Sequence, residues 1–250
     1  MRLAARAASA LLLLSLAACK TFLGGPGPFT PVQGEEARMR AWLDAVNQEA
    51  DKRLRLRAVG KLHVESPSGS GSVQEVVLAE RPARLRLESL NVLGQAASLL
   101  VSDGERFAFF DGKKLEQGPA QPEILRERLG LALEPGEAVL ALLAAPLASD
   151  WPPREILGRG ELRQLRGERQ SLIFSDSGEL SAIAALDEKG DVRWQVHYED
   201  WRDVPGGRYP SRLVMWFPET HLEAKLELAQ VELNPALDPS LFRVAGGAAQ

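Results

Sequence analysis

The sequence predicts an α+β protein that is mainly β: a strongly curved antiparallel sheet of about eleven strands, an incomplete barrel, covered by helices over an apolar cavity. Three observations carry this. From residue 55 onward, apolar residues recur with a period of two in short segments closed by Gly, Ser, Pro or Asp, the pattern of strands joined by tight turns. Two stretches, one just before residue 55 and one over residues 118–157, replace that period with helical spacing. In "HLEAKLEL", Leu222, Ala224, Leu226 and Leu228 alternate with His221, Glu223, Lys225 and Glu227. One face is apolar and one wet, as in an antiparallel sheet with a solvated outer side.

The chain opens "MRLAARAASALLLLSLAACK", with Arg2 and Arg6, an apolar run from Ala7, then small residues. This is the tripartite pattern of an export signal, and its apolar run is short for a membrane span. Leu16-Ala17-Ala18-Cys19 is similar to the bacterial lipobox, which implies removal of residues 1–18 and a diacylglycerol on the Cys19 thiol. Cys19 is the single cysteine of the chain, so no internal disulfide is expected despite export. Residues 19–34 hold four Gly and three Pro without periodicity and read as a flexible tether spanning roughly 20 Å.

"EEARMRAWLDAVNQEADKRLR" has acids at its front and bases at its end, which suits a helix dipole. Met39, Trp42, Leu43, Val46 and Ala50 form one apolar stripe. Strands follow as "RAVGKLHVES", "SVQEVVLAE", "ARLRLESL", "AASLLVS" and "RFAFFDG". "PEILRERLG" and "EPGEAVLALLAAPLA" then read as two short helices, the second with Pro135 near its start and apolar nearly all round. A helix without a polar face is buried or lines an apolar cavity. Strands resume as "ELRQLRG", "RQSLIFS", "LSAIAALD", "VRWQVHYEDW", "YPSRLVMWF" and "HLEAKLELAQVEL", in meander order. No linker interrupts residues 35–245, which are expected to form one domain.

Charge and motifs exclude several function classes. The formal charge is -4, and losing Arg2 and Arg6 leaves 28 basic against 34 acidic residues, which argues against nucleic acid as a partner. Attraction to anionic headgroups cannot hold such a chain on a membrane, so acyl chains would do so. The histidines at 63, 197 and 221 share no metal-ligand spacing. "SPSGSGS" fits neither a phosphate-binding loop nor a nucleophile elbow. No catalytic residue, metal or cofactor is expected, and the chain is read as a monomer.

One short stretch is unusual. In "LESLNVLGQA", Asn91 and Gly94 are ordinary turn residues, but Val92 and Leu93 lie between them, where a solvated turn normally carries polar side chains.

These pieces resemble the LolA/LolB superfamily of periplasmic lipoprotein carriers, and within it the outer-membrane receptor branch, LolB. The likeness rests on the lipobox, a tryptophan-bearing helix, Gly60 opening a strand, and the Asn-x-Leu-Gly tip of "ARLRLESLNVLGQAASLLV". It also rests on "GLALEPGEAVLALLAAPLA", "GDVRWQVHYEDWRDVPGGRYPSRLVMW" and "VELNPALDPSLFRV". The resemblance implies a non-enzymatic receptor that accepts the acyl chains of lipoprotein cargo from a soluble, LolA-like periplasmic carrier and delivers them to the membrane. In such a receptor the turn leucine, here Leu93 beside Val92, protrudes and assists insertion. Val92 departs from the family, which often has proline there.

Placement at the outer membrane, facing the periplasm on a lipid anchor, is compatible with Lys20 after the cysteine rather than aspartate. The candidate cavity walls are Trp42, Val46, Leu85, Leu87, Leu140, Leu143, Trp194, Val196 and Trp216. The alternatives are an interaction lipoprotein that uses a filled, curved sheet as a docking surface, or a carrier of another lipid.

Overall fold

The computed structural model describes residues 27–91, 93, 95–121, 123, 133–148 and 151–244. The signal segment, Cys19, Val92 and nearly all of "PEILRERLG" lie outside the described residues.

Among those described, fourteen strands build one open, curved, wholly antiparallel sheet. A first meander runs through β2 (Arg55–Ser66), β3 (Gly69–Glu80), β4 (Arg84–Leu90), β5 (Ala96–Ser102), β6 (Arg106–Phe110) and β7 (Leu115–Pro119). A second runs through β8 (Glu155–Arg159), β9 (Leu162–Arg166), β10 (Gln170–Phe174), β11 (Leu180–Leu186), β12 (Val192–Val204), β13 (Gly207–Phe217) and β14 (Leu222–Leu233). The two join through β14 and β2, from Glu223 opposite Glu65 to Leu233 opposite Leu56. A single sequential meander is therefore corrected. Strands β7 and β8 stand far apart in the sheet order, β7 at one edge and β8 next to the other, and the helical insert carries the chain between them. Alternation in sequence fixes which face a residue takes, not which strand lies beside it.

The three strands beyond the expected eleven are short. β1 (Thr30–Pro31) pairs with β8, and Val32 N donates to Ile156 O at 3.0 Å. The end of the segment read as a tether is thus an edge strand, held by backbone pairing that needs no apolar period and that tolerates proline at an edge. β7 ("LEQGP") and β8 ("EILGR") also lack clean alternation.

Helix α1 (Glu36–Lys52) buries Met39, Leu43 and Ala50, with Trp42 and Val46 half-buried beside them. It covers the β9–β11 part of the concave face: the Trp42 ring lies 5.8 Å from that of Phe174, and Arg163 Nε donates to Glu35 at 3.2 Å. Gly178 meets Trp42 so closely that a Cβ there would lie 2.4 Å from the indole nitrogen, so the β10–β11 turn is moulded to that tryptophan.

Helix α2 (Pro135–Leu142) begins with Pro135 and a reciprocal capping pair between Glu134 and Glu137. It ends earlier than its apolar run suggests. Ala144 turns left-handed at φ 48°, and Pro146 disfavours continuation. The last carbonyls, orphaned in any helix, are taken by buried side chains. Tyr198 Oη donates to Ala141 O at 2.8 Å, Arg53 Nη1 to Leu143 O at 2.9 Å, and Tyr209 Oη to Leu142 O. Burial pushes the Arg53 pKa down and both tyrosine hydroxyls up.

Asn234 closes the fold at the other end of the sequence. Its side chain accepts from Leu54 N at 2.8 Å and donates to Lys52 O at 2.8 Å, tying the exit of α1 to the end of β14. Among the described residues no helix is long and apolar enough to cross a membrane.

Candidate functional site

Helix α1 fills one part of the concavity; the rest is only partly filled. Between α2 and the inner faces of β2–β6, β13 and β14 lies a cavity of about 360 Å³, within the roughly 300–1,000 Å³ of small-molecule sites. Its walls are mostly apolar, with Leu62, Val77, Leu87 and Phe109 on one side, Leu213, Met215 and Phe217 on the other, and Ala138 and Leu142 on the helix. Each strand contributes every second residue, as the pleat requires.

Three of the polar lining residues, Glu75, Ser89 and Ser98, form a row across the sheet; Ser102 and Glu134 stand apart from it. Register places Glu75 opposite Gly60 on one side and Ser89 on the other, with Ser98 beyond Ser89. Ser89 Oγ donates to Glu75 Oε2 at 2.7 Å, and Glu75 is 3% exposed. Burial pushes its carboxyl up to about 7; the Ser89 hydrogen bond pulls it down, and the charge of Glu88 pushes it up. The sequence does carry a signal for Glu75. In "SVQEVVLAE" it falls in step with Val77 and Ala79, both inward, so parity alone puts a carboxylate on the apolar face.

The β4–β5 turn stands at the sheet end toward which Val64, Phe217 and Leu222 line the pocket. Asn91 organises it: its Oδ1 accepts from Leu93 N at 2.9 Å and Gln95 N at 3.1 Å, and its own N–H donates to Gln95 O at 2.9 Å. This is an Asx-type turn. It leaves Leu93 78% exposed, the most exposed large apolar side chain among the described residues. Leu115 opens β7 at the same end and is 58% exposed; sequence reading did not single it out.

The nine expected wall residues divide. Leu85 and Leu87 line the pocket. Trp42, Val46, Leu140, Leu143, Trp194 and Val196 do not; they pack in or against the main core, the first four carried by the helices or the cap of α2 and the last two on β12. Leu143, Trp194 and Val196 are each fully buried, and Trp194 Nε1 donates to Glu137 Oε2 at 3.2 Å. Trp216 is corrected more sharply. Its neighbours Met215 and Phe217 line the pocket, so Trp216 points to the outer face, 6.0 Å from the His221 ring and near Glu65, Gln195 and Glu223.

The open curved sheet keeps a mostly apolar hollow under α2. Among the described residues no cluster of His, Cys, Asp and Glu could hold a metal ion. No protein-family model matches the chain, and no curated protein matches it in sequence.

Solved structures do share the fold. A LolA-superfamily protein from Nitrosomonas europaea aligns over 81% of this chain and 97% of its own, at 12% identity and a TM-score of 0.53. A domain assigned to outer membrane lipoprotein sorting from Vibrio parahaemolyticus aligns over 82% and 97%, at 7% identity and a TM-score of 0.51. A DUF1329-family protein from Desulfovibrio piger aligns over 83% and 97%, at 9% identity and a TM-score of 0.50. The chain has the LolA-like fold. At these identities the likeness is one of fold, and it does not single out the receptor branch.

Proposed function

We propose that this chain is a lipid-anchored, non-enzymatic receptor at the outer membrane, facing the periplasm. It accepts the acyl chains of lipoprotein cargo from a soluble carrier and passes them to the bilayer. The observation that carries this reading is the apolar pocket under α2, together with an exposed leucine on a turn held by Asn91 at the same end of the sheet. Chains moving from a carrier into such a hollow, and then into hydrocarbon, need no chemistry, only successive apolar sites of rising affinity. Cys19 supplies the anchor, and Leu93 supplies a transient contact. One buried leucine is worth about 1.5–3 kcal/mol, too little to hold a protein but enough to bias a tip into lipid. The pocket favours this reading over a filled docking surface.

The test is transfer of a purified lipoprotein, presented by a soluble carrier, into liposomes bearing this chain. Transfer that depends on the chain supports the reading. Transfer unchanged by its omission contradicts it.

A further inference from the structure

Glu75 is the one acidic side chain buried among the described residues, and it lies in the wall of the pocket rather than in the packed core. A carboxylate removed from water without a counter-charge is costly. The groups that act on it are Ser89, which donates one hydrogen bond, and Glu88, an acid on the outer side of β4 already paired with Arg86 at 2.7 Å. Glu134, at the start of α2, is the other acid lining the pocket. From β2, Gly60 and Leu62 flank Glu75 with no charge. Glu134 is exposed, so Glu75 is the buried hydrogen-bond-accepting acid in a largely hydrocarbon wall, with Ser89 and Ser98 in line with it.

We propose that Glu75 selects the head of the bound lipid: it favours an acyl chain whose first polar group is a neutral hydrogen-bond donor, such as an amide N–H, and disfavours one ending in an anion, such as a free fatty acid. This rests on the acyl-binding reading of the pocket. An amide N–H meets an acceptor whether Glu75 is charged or protonated, since either form of the carboxyl offers an oxygen lone pair. A fatty carboxylate meets a like charge in a low-dielectric wall when Glu75 is ionised. It meets a proton donor, and a short charge-assisted hydrogen bond, when Glu75 is protonated. Because burial lifts the Glu75 carboxyl to about 7, the two cases exchange within an accessible pH range, in which Glu75 and a bound fatty carboxylate come to share one proton.

The test uses the chain from Lys20 onward, which retains every described residue, and measures the affinity of dodecanamide and dodecanoate by calorimetry at pH 6 and pH 8. The wild-type chain should prefer the amide by about tenfold or more at pH 8, that is by about 1.4 kcal/mol or more. Dodecanoate should tighten as the pH falls to 6, while dodecanamide changes little. In Glu75→Gln, dodecanoate should bind at pH 8 at least tenfold more tightly than it does to the wild type, and its pH dependence should shrink. Equal binding of both ligands by the wild type at pH 8 would overturn the selection, and so would a preference of unchanged size in Glu75→Gln. If neither ligand binds at either pH, the acyl-binding reading itself fails. The pH dependence of the wild type stands as a measurement independent of how the variant folds.

Discussion

Arg53 and Leu143 lie ninety positions apart in sequence, and the Arg53 guanidinium donates to the Leu143 carbonyl at 2.9 Å in the buried centre of the molecule. The bond ties the end of α2 to the exit of α1, beside the bonds that Tyr198 and Tyr209 donate to the same helix end. Replacing Arg53 with Met should cost about 1.5–3 kcal/mol, the worth of a charged hydrogen bond with its acceptor left buried. Denaturant unfolding measures this. A loss under 0.5 kcal/mol would show that the two tyrosines hold α2 unaided.

The pocket can be blocked without disturbing the core. Ala138 lines the cavity from α2, so Ala138→Phe should displace a bound acyl probe such as bis-ANS while leaving stability unchanged or raised by about 0.5–2 kcal/mol, as filling a cavity does. Leu143→Trp should behave in the opposite way. Leu143 is fully buried away from the pocket, so the larger ring should destabilise the fold by about 1–3 kcal/mol through overpacking. Melting curves and probe titrations on both variants separate the two sites.

That contrast shows what the sequence could and could not disclose. The alternation of "ARLRLESL" put Leu85 and Leu87 on the inner face, and both line the pocket. The same reasoning put Trp194 and Val196 inward, and they are inward. Parity does not say which stretch of a concave face a helix will cover, and that depends on where α1 docks. In "YPSRLVMWF" both faces are apolar, so nothing local tells Met215, inward, from Trp216, outward. The joining of β14 to β2 is a contact between opposite ends of the chain and leaves no trace in any window of residues. The Asn91 turn and the exposure of Leu93 were legible, because Asx-turn chemistry is local.

Glu75 links folding to pH. Its folded value is raised to about 7 from an ordinary 4.5, so the native state holds this proton where the unfolded chain has lost it. Its contribution is fully favourable below about 4.5, declines as the pH rises through about 7, and is constant above that. Relative to wild type, Glu75→Gln should therefore gain stability across that window, by a total on the order of 3 kcal/mol. Unfolding of both proteins at pH 5 and pH 8 checks the sign: a stability difference independent of pH would mean that the carboxyl is not held protonated.

A substitution in the exposed turn tests the proposed delivery step apart from folding. Leu93 buries little, so Leu93→Glu should change stability by no more than about 0.5 kcal/mol. Transfer of lipoprotein to liposomes should fall sharply, because a carboxylate resists entry into hydrocarbon, while acyl binding in the pocket survives. Full transfer by a normally folded Leu93→Glu chain would remove Leu93 from the mechanism.

The proposed anchor, Cys19, lies outside the described part of the chain. Cys19→Ala should leave a species uncleaved or released from the membrane, as no second thiol exists to take a lipid. Fractionation of cells, with globomycin-treated wild type as the reference, reads this out. A variant processed and membrane-bound like wild type would contradict lipidation at Cys19.

The most direct measurement is photocrosslinking of the chain from Lys20 onward with a fatty amide carrying a diazirine near the end of its chain, followed by mapping of the labelled residues by mass spectrometry. Acyl binding under α2 predicts labels on Leu87, Phe109, Met215 and their neighbours in the pocket wall, competed by unlabelled lipid and lost in Ala138→Phe. Labels confined to the outer face around Trp216, or spread over the surface without competition, would contradict it.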